Sequence, residues 1–106
     1  MTGYKVLDNN MRSFIAGMQY DTQEVYSTDE EISLIDNKGF HFCEDLVEAL
    51  KWVKDTNNYR IFLIDTLDGE VINGLYTSVS SKIKLVRELT HLEIADVVIE
   101  YIVNNK

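Results

Sequence analysis

His41 and Cys43 stand two residues apart in the stretch KGFHFCEDLVEAL, residues 38–50. In an extended segment that spacing puts both side chains on one face and Phe40 and Phe42 on the other. A histidine beside a thiol can act as the base that makes a nucleophilic thiolate. The neighbours argue against that chemistry. Glu44 and Asp45 follow directly, and negative charge raises a thiol's pKa. No third residue completes a triad, and a free cysteine commonly packs as a small apolar group. Zinc would need three or four ligands. The chain offers His41, Cys43 and His91, with no CxxC and no HxxxH, so no metal is expected.

Two further clusters carry charge. Asp65, Asp68 and Glu70 could present oxygens to a divalent cation, but Asp68-Gly69 is already explained as a tight turn. Lys82, Lys84 and Arg87, flanked by Ser78, Ser80 and Ser81, could meet a phosphate. Three charges are a thin footprint for nucleic acid, and they fit the polar face of a strand. No Walker loop, GxGxxG or aromatic RNA-binding signature is present. No catalytic residue and no cofactor are therefore expected. The candidate ligand pocket is the face of His41 and Cys43, with Glu70 or Lys84 supplying charge. Trp52 falls off the apolar stripe around it and reads as core-edge packing or as a partner anchor.

The 106 residues fit one domain, residues 1–106, with enough apolar side chains for a core. A single cysteine and the lack of a signal-like N-terminus suggest a reducing, cytoplasmic setting. No apolar run is long enough to span a membrane. The formal net charge is −8, and it is unevenly placed. Residues 21–50 hold nine carboxylates against Lys38, whereas the rest of the chain balances. Such a segment repels nucleic acid and attracts basic surfaces. It serves solubility first, and docking second. Its partner-facing candidates are Glu24, Asp29, Glu30, Glu31, Asp36 and Glu44.

The elements that must position these residues follow from local pattern. Residues 4–7, 13–20, 25–26, 31–35, 40–43, 59–66, 70–72 and 82–89 carry strand-like apolar runs or alternation. Residues 59–66, YRIFLIDT, read as a central strand buried on both faces. Asp68-Gly69 should join it to residues 70–72 as a hairpin. Gly39 is placed to take a positive φ in the turn of residues 36–39. Asp45 is the expected N-cap of a helix striped by Leu46, Ala49, Leu50 and Val53, with Glu48 closing a capping box. Thr90-x-x-Glu93 should open a second helix, striped by Ile94, Val97, Val98, Tyr101 and Ile102. The expected fold is α+β: a mostly antiparallel or mixed sheet of about six strands, packed by two helices.

Three segments in this order also carry a resemblance: YKVLDNNMRSFIAGMQYDTQEVY, KGFHFCEDLVEAL and SSKIKLVREL. Together they resemble a family of small domains from bacteriophages and related mobile elements, typified by a GFHFC-like motif and a late KIK strand. That family commonly has a proline early in its first helix, where this chain has Leu46. The resemblance implies a phage context rather than a chemistry. The stretch GFHFCEDLVEALKWV with YRIFLIDTLDGEV is also similar in outline to part of the ADP-ribosyltransferase fold. That family's Ser-Thr-Ser strand is missing, and Glu70 is the one candidate for its catalytic glutamate. This likeness would imply a degenerate or ligand-binding relative.

The leading expectation is a non-enzymatic accessory protein that engages a basic surface on a host protein in the bacterial cytoplasm. One form is an inhibitor of a nucleic-acid-guided defence system, an anti-CRISPR-like nucleic-acid mimic. The alternative is a nucleotide or small-molecule binding domain, with a concave pocket beside His41. A structural or assembly domain, with homo-oligomer contacts through a strand edge, is the third.

Overall fold

The structure, a computed structural model, describes residues 1–14, 17–36 and 38–104. Among them run seven strands and two helices: β1 Thr2–Leu7, β2 Val25–Ser27, β3 Phe40–Phe42, α1 Leu46–Leu50, β4 Arg60–Asp65, β5 Val71–Asn73, β6 Ser78–Ser80, β7 Lys82–Glu88 and α2 His91–Asn104. They form two antiparallel sheets, ordered β1-β4-β7-β2 and β3-β6-β5. The fold class is α+β. No described helix is long and apolar enough to cross a membrane.

Alternation in the strands builds three layers. Phe62 and Ile64 of β4, Ile83 and Leu85 of β7 and Leu7 of β1 face one way, against Phe40 and Phe42 of the small sheet. Ile61 of β4 and Val6 of β1 face the other way, against Leu46 and Ala49 of α1 and Ile94 of α2. β4 is thus buried on both faces, as its apolar run requires. Fully burying each such side chain contributes about 1.5–3 kcal/mol. On β7, Ile83 and Leu85 are sealed inside while Lys82 and Lys84 point outward.

The two sheets meet along one edge of β1. Tyr4 and Cys43 exchange backbone hydrogen bonds, N–H to O at 2.7 Å and 2.8 Å, so β3 docks beside β1 for a single residue pair. Gly3 makes that approach feasible, since a Cβ there would lie 2.6 Å from the Phe42 ring and 2.7 Å from the Cys43 carbonyl oxygen. Gly39 turns the chain into β3 at φ +96°.

Several local expectations are corrected. The described residues of the range 13–20 form no named strand; Ile15 and Ala16 lie outside the described residues. Met11 and Gly17 take φ of 65°, and Ser13 N–H donates to the Met18 carbonyl. The segment therefore folds back on itself. Residues 31–35 do not form a strand: the chain turns over residues 34–36, where the Ser33 hydroxyl accepts from the N–H groups of Ile35 and Asp36. Asn37, part of the turn expected over residues 36–39, lies outside the described residues.

Asp68-Gly69 does not close a hairpin. Leu67 takes the positive φ, 55°, and the chain crosses from one sheet to the other, so β5 pairs with β6. Asp45 caps α1 by accepting from Val47 N–H. Glu48 pairs with Lys51 at 2.9 Å instead of closing a box. α1 ends at Leu50, one turn short of the expected stripe. Around α2 the box is complete: Thr90 Oγ1 accepts from Glu93 N–H, and Glu93 Oε1 accepts from Thr90 N–H. Ile94, Val97 and Val98 of that helix pack against the core, while Tyr101 and Ile102 stay about half exposed.

Candidate functional site

A cleft of about 580 Å³ opens where β1 and β3 part beyond the Tyr4–Cys43 pair. This lies within the roughly 300–1,000 Å³ range of small-molecule sites. Phe14, Met18, Leu34 and Trp52 give it apolar walls, and Lys5, His41 and Cys43 put polar atoms among them. Ser13, Thr28, Glu30 and Thr77 add further polar groups to its lining. Ile35, 95% exposed, belongs to the lining and has little protein around it.

Lys5 is the feature the sequence reading missed. It is only 9% exposed and is the one buried charged side chain among the described residues. Period two on β1 puts it on the face of Leu7, toward the core between the sheets. Its ammonium donates to the His41 carbonyl oxygen and lies 5.3 Å from the centroid of the Tyr20 ring. Tyr20 is itself held edge-on against Tyr26, at 5.1 Å between centroids. Burial lowers the Lys5 pKa from 10.5 to about 8, a shift that negative charge on the nearby Cys43 sulfur would oppose. Among the described residues no carboxylate pairs with Lys5. The signal was present in the sequence: a lysine at the inward position of the strand TGYKVL.

His41 is half-buried in the cleft wall. Its pKa is lowered by burial and by the Lys5 ammonium, against hydrogen bonds in which the ring donates to the backbone carbonyls of Leu34 and Ser33. The ring is neutral at pH 7 and can accept a proton. Cys43 is pushed up to about 11 by burial and by the Glu48 carboxylate; Lys5 and a hydrogen bond with Trp52 pull weakly the other way. At neutral pH it is a thiol, so a thiolate nucleophile is not what this site offers.

Of the four pocket residues read from sequence, His41 and Cys43 line the cleft. Glu70 and Lys84 do not. Glu70 is exposed at the crossover into β5, with its N–H donating to Ser81 Oγ. Lys84 sits on the outward face of β7, opposite Asp65. The carboxylates around Asp68 are not a cation site either. Asp68 pairs with Lys82 at 2.7 Å and Asp65 lies 3.6 Å from the N-terminal amine. Among the described residues no group of three His, Cys, Asp or Glu could hold a metal ion.

Glu24, Asp29, Glu30, Glu31, Asp36 and Glu44 are all exposed. None forms an ion pair among the described residues, whereas Lys51, Arg60, Lys82 and Arg87 each pair with an acid. The acidic segment reaches the cleft, since Glu30 is part of its lining.

No curated protein and no solved structure matches the chain. Residues 1–97 match the profile of one protein family, and the chain belongs to it: a domain of unknown function, DUF7666.

Proposed function

We propose that this domain binds a small anionic molecule in the cleft between β1 and β3, with Lys5 as the charge that recognises it. The observation that carries this reading is Lys5 itself. A lysine ammonium held out of water, with no carboxylate partner, in the wall of a cleft of ligand size, leaves its counter-charge to be supplied from outside. Phe14, Trp52 and Met18 supply apolar surface for the body of the ligand. Carboxylates with an aromatic or aliphatic body, and nucleoside monophosphates, have this chemistry. The domain is read as a binding module, without a catalytic set.

The test is thermal stabilisation across a panel of aromatic carboxylates and nucleoside monophosphates. Saturation at 100 times Kd stabilises by about 2.7 kcal/mol, which in a domain of this size raises Tm by roughly 10 °C. Lys5→Met should abolish the shift. A flat panel at millimolar ligand refutes the reading.

The unpaired acids favour a second reading, as a docking face for a basic surface on a host protein. A phage-type accessory protein that displaces nucleic acid from a defence complex would use such a face. Charge-led binding is fast and weakens steeply with salt. Capture from host lysate at low and high salt tests it. Replacing Asp29, Glu30 and Glu31 by Asn and Gln should abolish capture, and capture insensitive to salt would rule the mimic out.

A further inference from the structure

The geometry points to Lys5 as an imine-forming residue: the cleft takes a small 2-oxo acid whose carbonyl carbon condenses with the Lys5 amine. This rests on the reading that the cleft binds an organic anion, and it assigns that anion a reactive group. Three features carry it. The amine is buried in the cleft wall beside apolar and aromatic side chains, the setting that makes lysine a nucleophile. His41 lines the same cleft, half-buried, and its imidazole is close enough to Lys5 for the ammonium to lower its pKa, so it is a neutral base within reach of a proton relay. Glu30, the one carboxylate in the described lining, is exposed and forms no ion pair with Lys5, so the ligand's own carboxylate is the counter-charge placed beside the iminium.

The step balances without a further reagent. Lys5 Nζ, once neutral, attacks the carbonyl carbon, and the carbon–oxygen π pair moves onto oxygen. Proton transfer from nitrogen to oxygen, through His41 or water, gives a carbinolamine. Loss of that oxygen as water leaves the C=N bond. One amine and one carbonyl become one imine and one water, with no change of oxidation state.

The burial that lowers Lys5 to about 8 supplies neutral amine. At pH 7 about a tenth of Lys5 is neutral, roughly 300-fold more than of a lysine at the ordinary value of 10.5.

The experiment incubates the full chain with phenylpyruvate, pyruvate or glyoxylate, reduces with borohydride, and maps adducts by fragment-ion mass spectrometry. The expected product is a secondary amine on Lys5, heavier by the mass of the ligand less one oxygen. It should form at pH 7 at least tenfold faster than on Lys38, Lys51, Lys54, Lys82 or Lys84, and should be missing from Lys5→Arg. No adduct, or adducts confined to the Met1 amine and exposed lysines, would overturn the proposal, and wild-type protein alone decides it.

Phenyllactate, which keeps the carboxylate and ring but has no carbonyl, separates the two readings. If phenyllactate raises Tm and phenylpyruvate leaves no adduct on Lys5, imine formation is refuted and anion binding stands. If phenyllactate gives no shift and no adduct forms, both fall.

Discussion

Replacing Lys5 by Met tests the electrostatic core of this account. Burial holds the folded-state pKa of Lys5 near 8, against 10.5 for the free side chain. At about 1.4 kcal/mol per pH unit, keeping Lys5 charged in the folded protein costs about 3 kcal/mol. Below pH 8 both states are protonated and the folded state carries that cost in full. Between 8 and 10.5 the unfolded chain holds more protons, so stability rises with pH; above 10.5 the cost is gone. Methionine matches the stem and carries no charge, but it forfeits the hydrogen bond to the His41 carbonyl, about 1 kcal/mol. Lys5→Met should therefore be about 2 kcal/mol more stable than wild type at pH 7. The advantage should shrink from pH 8 upward and change sign near pH 10. Urea denaturation at half-unit pH steps measures this. Both proteins should carry Cys43→Ala, because the thiol titrates in the same window. A difference that stays constant from pH 7 to 10, or a variant less stable at pH 7, would refute the reasoning.

Gly39→Ala should lose about 2–3 kcal/mol in denaturant melts, since φ is +96° and the new Cβ would sit 2.7 Å from Val79 Cγ2 and 2.8 Å from Ile32 Cγ2. Thr90→Ala should lose about 1 kcal/mol by removing the cap of α2. Glu93, held at about 2 by Arg87 and Thr90, contributes stability that is complete above its unfolded value of 4.5 and lost as pH falls toward 2. The acid limb of a pH–stability curve should therefore flatten in Glu93→Gln. Cys43, pushed to about 11 and 4% exposed, should react with iodoacetamide at pH 7.5 only as fast as the protein unfolds. Rapid labelling of the native state would contradict its place in the core.

The central features of the fold were legible because they are local and redundant. YRIFLIDT is apolar on both faces and has no other stable setting than mid-sheet, and that is where β4 lies. KIKL alternates and packs as it alternates. Residues 13–20 and 31–35 misled because short runs of apolar and small residues look alike in a strand and in a folded-back loop. Their outcome depends on Met11 at positive φ and on the Ser33 hydroxyl. Asp68-Gly69 misled for a related reason. Its turn preference is genuine, but Gly69 is needed because Lys82 N would lie 2.8 Å from a Cβ there. That contact belongs to the crossing between sheets and is invisible locally. The face of His41 and Cys43 was readable from period two. The same rule puts Lys5 on the inward face of β1 with Leu7, and an inward lysine in TGYKVL is the local signal of the site.

Lys5 stands out by its surroundings and not by a motif. This chain carries eight more acids than bases, and Lys51, Arg60, Lys82 and Arg87 each pair with one of those acids. Lys5, the one buried cation among the described residues, has none. Glu30, the one carboxylate in the described cleft lining, is exposed and forms no ion pair with Lys5. An apolar residue at position 5 would remove the desolvation penalty altogether, and replacing buried charge by apolar side chains is commonly neutral or stabilising. Folding alone thus favours an apolar residue at position 5, and the chain does not have one. A charge that stability disfavours, kept dry and unpartnered beside a cleft of ligand size, is the kind of local conflict that functional sites retain.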